Sequence, residues 1–172
     1  NNSDPRFTSG FPVDFAFVTL TTGSAKYASA RLIQKKELLL NGNNAEGGGS
    51  NYDFRFNNGW VAGAVGNDYI SYMWKRAKGY FDVATLAGVS KIGTVTHSGS
   101  STDVDCGFSA GAKLVMLKRT DATGDWYWWD SVRGIIAGND PYLLLNSTAA
   151  EVTNTDLIDP LASGFQISGD FT

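Results

Sequence analysis

The chain has 172 residues, 42% of them hydrophobic and 18% charged, so it is too apolar for a disordered polymer and long enough to bury its own core. Its net charge is −3 and its largest basic groups are pairs of adjacent residues, which argues against nucleic acid and against an anionic membrane surface as partners. One cysteine and one histidine exclude an internal disulfide and a closed zinc site, and no apolar run approaches the roughly 20 residues of a membrane helix.

Predicted strands follow one another closely from the N-terminus. Gly10-Phe11 leads into an apolar strand at 15–20, which a polar turn at 21–24 ends. Residues 25–40 are rich in Ala, Lys, Glu and Leu, and propensity alone predicts a helix there. We interpret them as strands because their counterpart later in the chain is aromatic. The region closes with the alternating strand Tyr69–Trp74.

The same order returns about 100 residues further on. The segment Leu38–Asn41 has its counterpart in Leu143–Asn146, and Gly59-Trp60 in Gly164-Phe165, each 105 residues later. Short β-branched and aromatic strands bounded by Gly, Asn, Asp and Ser are typical of sandwiches. The sequence therefore predicts an all-β fold of antiparallel β-sandwich units in a tandem internal repeat.

We expect three segments. Residues 1–78 form the first β-rich repeat, residues 79–106 a linking β-hairpin that turns around Gly88, and residues 107–172 the second β-rich repeat. The second repeat stops soon after Gly169-Asp170, where the first continues into a further strand. We therefore expect the second repeat to lack its last strand, which either a longer parent chain or another subunit supplies.

Turn and packing motifs are spread over most of the chain. They are Gly10–Pro12, Gly79–Val83, Asp125-Trp126, Asp130–Gly134, Leu145–Thr148 with Ala150-Glu151, Ser163–Phe165 and Gly169–Phe171. From about Gly10 onwards the chain resembles a domain of unknown function that occurs, often in tandem, in tail-fibre and related virion proteins of bacteriophages. The first repeat departs from the pattern, since residues 27–34 lack the Asp-Ser-Val-Arg-Gly run.

That resemblance implies a structural or adhesive module of the virion, an extracellular particle, with a role in assembly or in attachment to the host surface. It implies other copies of the chain and other virion proteins as partners, with a host cell-surface glycan as a further one. It carries over no catalytic residue and no cofactor.

The segment Trp126–Trp129 supports the most specific binding hypothesis. Alternate side chains of a strand face opposite ways, so Trp126 and Trp128 share one face, and Tyr127 and Trp129 the other. One pair belongs in the core. The other is either packed inside or presents an aromatic platform for a sugar ring, with Asp130 and Arg133 bonding to hydroxyls. The platform defines the alternative function, a carbohydrate-binding module of a secreted bacterial protein.

Catalysis is not expected. Gly107–Gly111 matches the G-x-S-x-G elbow of serine hydrolases, but that motif needs a following helix and a later histidine, whereas His97 precedes it. Asp103, Asp105 and residues 121–125 do not reproduce a calcium-loop spacing, so no metal is expected.

Two asparagines have the same place in the two repeats. Asn41 and Asn146 each follow three leucines. Asparagine side chains bond backbone groups in turns, so we expect both to close the turn after a core strand.

Overall fold

A computed structural model describes residues 4–33, 35–49, 51–63, 67–86, 94–95, 101–134, 140–153 and 157–168. Within these ranges the regular structure is β, apart from one 3₁₀ turn at Arg31–Ile33, and the sheets are mostly antiparallel. The all-β prediction is confirmed. In the described residues no helix is long and apolar enough to cross a membrane.

The first half of the chain builds one large sheet and one small one. Its strands are β1 (Phe7–Thr8), β2 (Phe15–Leu20), β3 (Lys26–Ala30), β4 (Lys36–Leu39), β5 (Gly47–Gly48), β6 (Gly59–Trp60) and β7 (Tyr69–Trp74). The large sheet has the order β5-β4-β3-β2-β7, and β1 pairs with β6. The segment that propensity assigns to a helix is thus strand, 3₁₀ turn and strand. Its return into β4 uses a left-handed residue, Lys35, with φ of 66°.

The strands of the second half form smaller sheets. They are β8 (Thr85–Leu86), β9 (Thr94–Val95), β10 (Ser101–Asp105), β11 (Leu114–Lys118), β12 (Trp126–Asp130), β13 (Leu143–Leu144), β14 (Ile158–Leu161) and β15 (Gly164–Ser168). One sheet has the order β11-β12-β13 and another the order β10-β15-β14.

The described strands of residues 79–106 differ from the expected linking hairpin. β8 and β9 pair in parallel, whereas a hairpin joins antiparallel strands. β10 also lies inside the expected linker, residues 79–106, but it pairs along its whole length with β15. Turn residues around Gly88 suggested a local connection. β10 instead pairs with β15, about 60 residues further along the chain, because strands distant in sequence can be neighbours in a sheet.

The two three-stranded meanders, β2-β3-β4 and β11-β12-β13, have matching registers. Tyr27 faces Leu39 in one, and Tyr127 faces Leu144 in the other. The backbone bond that closes each meander also corresponds, from Leu40 N to Lys26 O at 2.7 Å and from Leu145 N to Trp126 O at 3.0 Å.

The small pairs β1-β6 and β10-β15 correspond as well. Gly59 crosses β1 so closely that a Cβ there would overlap the carbonyl of Phe7, and a Cβ on Gly164 would overlap that of Val104 in the same way. Glycine is required at both crossings because no side chain fits between the backbones.

Three clusters of buried side chains form the interior. The first core is built from Val13, Ala16, Val18, Tyr52, Phe54, Trp60 and Ala62. The second core combines Ala28, Ala30, Ile33 and Leu38 with Trp126. The third core is built from Ala112, Val115, Trp129 and Ile158. The second core therefore draws on both halves of the chain, through Trp126 and through Met116, which packs against the cluster.

Candidate functional site

The aromatic strand β12 is the middle strand of its sheet, between β11 and β13. Its side chains alternate between the two faces, as predicted. Trp126 lies in the second core with 3% of its surface exposed, and Trp129 lies in the third core with none. Each face of the strand is therefore covered by a different core.

Trp126 connects the two halves of the molecule. Its ring packs with Ala28 and Leu38, and its Nε1–H donates to the carbonyl of Leu39 at 2.8 Å. Buried indole N–H groups need such a partner, so the bond fixes the ring's direction as well as its burial. Nearby backbone bonds join the same two regions, from Glu46 N to Thr120 O and from Gly124 N to Asn43 O, both at 2.8 Å.

Tyr127 and Trp129 share the opposite face with Tyr142. The rings of Tyr127 and Trp129 stack with centroids 5.5 Å apart and planes 12° apart, and Tyr142 lies 5.2 Å and 5.8 Å from them. Burial raises the pKa of the Tyr127 hydroxyl, and the charges of Tyr142 and Asp125 add to the effect. The predicted pair thus packs into the third core together with a third ring from a later segment.

Trp128 is the remaining member of the predicted platform. It faces Met116 on β11 and Leu143 on β13, and it is half-buried. Neither predicted pair has two open rings, since Trp126 and Trp129 are both buried. Glycan binding at β12 stays a prediction, and the burial of one member of each pair disfavours it.

The polar neighbours of the strand are bonded to each other. Asp130 Oδ1 accepts from the backbone N–H of Val132 at 3.0 Å and of Arg133 at 2.9 Å, and its Oδ2 accepts from Arg133 Nε at 2.9 Å. Arg133 Nη1 also reaches Glu151 Oε2 at 3.4 Å. The backbone N–H of Arg133, followed by its guanidinium, lowers the pKa of the Asp130 carboxyl. Both predicted hydrogen-bonding residues are thus used to hold the 131–133 turn.

Asn146 ties the other end of β12. Its Oδ1 accepts from Trp126 N at 2.9 Å and its Nδ2 donates to Asp125 Oδ1 at 2.7 Å. Asn41 acts at the corresponding place with a single bond, from Nδ2 to the carbonyl of Ser24 at 3.0 Å. Both asparagines lie in turns after a strand, and their bonds reach the turn before the middle strand of each meander.

The serine-hydrolase motif forms part of a connection between strands. Gly107 and Gly111 both have left-handed backbones, with φ of 64° and 68°, and the segment joins β10 to β11. Gly111 also approaches the carbonyl of Leu161, which would lie 2.6 Å from a Cβ. His97 lies outside the described residues, and within them no group of three or more His, Cys, Asp or Glu could hold a metal ion.

One buried carboxylate was missed from the sequence. Asp140 has no exposed surface, and its Oδ2 accepts from the backbone N–H of Leu157 at 3.0 Å and of Ile158 at 3.1 Å. The bonds fix the start of β14. Only the Asp-Pro pair at 140–141, a common turn signal, marked this position in the sequence.

The motif residues around β12 therefore form two polar clamps, Asp125 with Asn146 at one end and Asp130 with Arg133 and Glu151 at the other. Fold and site define an all-β protein with an aromatic strand that is clamped at both ends. Through Trp126, this strand packs its own sheet against the five-stranded sheet. The chain belongs to a domain family of unknown function, DUF7483, whose model matches residues 31–170. No curated protein and no solved structure matches it.

Proposed function

We propose that this chain is a structural or adhesive module of a bacteriophage virion, part of a tail fibre or of a tail-associated protein. The setting rests on the resemblance of its motifs to those of phage tail-fibre domains. The structural role is supported by the contacts that those motifs make in the fold. Their polar residues hold β12 in place, and they belong to Asp125-Trp126, Asp130–Gly134 and Ala150-Glu151. Side chains that bond to other groups of the same chain favour a rigid structural role over ligand binding or catalysis.

We also propose that the two halves are copies of one unit. The matching registers of the meanders and the two glycine crossings support this reading. A family model that runs as one match across both halves is consistent with a joined pair acting as the unit of the fold. Trp126 supplies the joint, so a fibre built from such pairs has a stiff connection between its sheets.

Immunogold electron microscopy of purified phage particles tests the location. Antibodies raised against this chain are expected to label the tail or its fibres. A matched control uses the same serum after absorption with the purified chain. Label confined to the soluble fraction of infected cells, with none on particles, contradicts a virion role.

Attachment is tested separately from location. The purified chain is incubated with host cells and with cells stripped of surface polysaccharide, and the bound fraction is measured. Binding that requires the polysaccharide supports the adhesive role. Label on particles without cell binding assigns the chain to the structural role alone.

A further inference from the structure

The six residues that follow β7, at positions 75–80, are all exposed. Three of them are cations, Lys75, Arg76 and Lys78. No other four consecutive positions of the chain hold three Lys or Arg residues. This segment is therefore the densest positive stretch of a chain whose net charge is −3.

The segment turns back on itself as a tight hairpin. Ala77 N donates to the carbonyl of Phe81 at 2.9 Å, and Phe81 N donates to the carbonyl of Ala77 at 3.0 Å. Gly79 has a left-handed backbone, with φ of 81°, which suits a glycine in a sharp turn. Lys78 and Tyr80 flank this glycine, so a cation and an aromatic ring are neighbours at the tip of the hairpin.

The base of the hairpin is fixed to the large sheet. Arg76 N donates to Asp14 Oδ2 at 2.8 Å, and Asp14 N donates to the carbonyl of Trp74 at 2.9 Å. The ring of Phe81 stacks on that of Trp74, with centroids 6.3 Å apart and planes 23° apart. Arg76 Nη1 also lies 3.8 Å from Asp82 Oδ1, which offsets part of its charge. A hairpin held in this way presents its tip without the entropy cost of ordering a loose loop.

Two tyrosines are open to solvent in this region. Tyr80 is 89% exposed and Tyr72, on β7, is 54% exposed. Tyrosine supplies a large, rigid contact area at a low entropy cost, which is why it is frequent in binding surfaces. The face of its ring is negative, so the weakly positive C–H groups of a sugar ring pack favourably against it.

The hairpin also lines a groove of about 340 Å³. Gly79, Tyr80 and Phe81 belong to its lining, and so does Lys113, which directly precedes β11. The groove therefore brings a cation from a second segment to the surface that Tyr80 lines. Concave surfaces with a few polar groups are where ligands usually bind.

Cations beside exposed aromatic rings favour an anionic ligand that also has apolar faces. A polysaccharide of uronic acids has both properties, because each sugar carries one carboxylate and one C–H face. Nucleic acid is bound by neutralising many closely spaced phosphates, and an anionic membrane by clusters of about 4–8 cations. The hairpin has three cations, one of which is paired with Asp82, so the acidic polysaccharide fits better.

We propose that the hairpin of residues 75–81 binds an acidic polysaccharide. A sugar ring stacks on Tyr80, and carboxylates of the polymer pair with the neighbouring lysines. The proposal names a site and a ligand class for the adhesive role and rests on that part of the proposed function.

The test uses the full chain with fluorescently labelled polygalacturonate and hyaluronate, measured by anisotropy. The carboxyl-reduced form of each polymer is the matched control, because it keeps the sugar rings and loses the charge. Saturable binding to at least one acidic polymer is expected, about fivefold or more tighter than to its reduced form, and weaker as the salt concentration rises.

Four variants locate the binding. Tyr80→Ala removes the exposed ring and is expected to weaken binding about fivefold, whereas Tyr80→Phe keeps the ring and most of the affinity. Lys78→Gln is expected to weaken binding about threefold. Lys26→Gln, at an exposed lysine of β3, is the control for charge and should bind as the wild type does. Circular dichroism checks that all four variants fold.

Unchanged binding by Tyr80→Ala, equal binding to the acidic and reduced polymers, or no saturable binding to either polymer overturns the proposal. Tighter binding to single-stranded DNA or to anionic lipid vesicles also overturns it, because the charge then serves a different ligand.

Host-cell binding of the same variants separates this proposal from the adhesive role itself. Attachment that Tyr80→Ala and Lys78→Gln retain in full overturns the hairpin site and leaves the adhesive role standing. Polymer binding that depends on Tyr80, without attachment to host cells, supports the site and contradicts the adhesive role.

Discussion

The meander β2-β3-β4 and the meander β11-β12-β13 have the same strand order and register but different surroundings. In the first, the middle strand carries small residues, Ala28, Ser29 and Ala30, and the sheet extends through β5 and β7. In the second, the middle strand carries Trp126, Trp128 and Trp129, and the sheet has three strands within the described residues. Large side chains on β12 pack into the second and third cores. The three-stranded sheet therefore depends more on side-chain packing, and the five-stranded sheet more on backbone pairing between strands.

The largest expected effect comes from cutting the side-chain link between the halves. Trp126→Ala removes a buried ring and its bond to Leu39, which we expect to lower the free energy of unfolding by about 3–5 kcal/mol. Urea unfolding measures it. Trp128→Ala, at a half-buried ring on the same strand, is the control and is expected to cost less; an equal loss in both variants contradicts the special place of Trp126.

The glycine crossings test whether the two halves are equivalent. Gly59→Ala and Gly164→Ala each force a Cβ against a carbonyl of the facing strand, and overpacking of this kind costs about 1–3 kcal/mol or more. Similar losses in the two variants, measured by thermal unfolding, are expected. Gly48→Ala meets only the end of the Lys36 side chain and serves as control. A loss confined to one crossing breaks the comparison.

The asparagines should separate the halves instead. Asn146→Ala removes two hydrogen bonds at the start of β12, for an expected loss of about 1–3 kcal/mol, whereas Asn41→Ala removes one exposed bond and costs about 0.5–1 kcal/mol. Chemical denaturation of both variants gives the order. A greater loss at Asn41 would show that the shorter sheet does not depend on its polar clamp.

The smallest effect is the pH dependence of the Asp130 clamp. Its pKa is lowered from the ordinary 3.8 in the fold, so its contribution to stability is present above that value and is lost as the pH falls through the folded pKa. Asp130→Asn is expected to weaken the acid dependence of the unfolding midpoint without removing it, because Asp105 and Asp121 also have lowered pKa values. An unchanged acid profile contradicts the clamp.

Periodicity along the chain was sufficient for β2, for β7 and for the two faces of β12. The alternation of β2 and β7, the separation of Trp126 from Trp129, and the turns at Asn41 and Asn146 all depend on residues close together in sequence. Strand geometry fixes which side chains share a face, so these features could be predicted locally.

What covers each face could not be read in the same way. The carbonyl that accepts the hydrogen bond from Trp126 belongs to a residue 87 positions away, and Tyr142 packs against Tyr127 from a different segment. Asp140 accepts a hydrogen bond from the backbone of Ile158, a contact that no local sequence pattern indicates. The sequence by itself determined an all-β chain with an aromatic strand and two marked turns. Only the tertiary structure decided that the two faces of that strand pack against two different cores, because burial and pairing depend on which distant segments reach a strand.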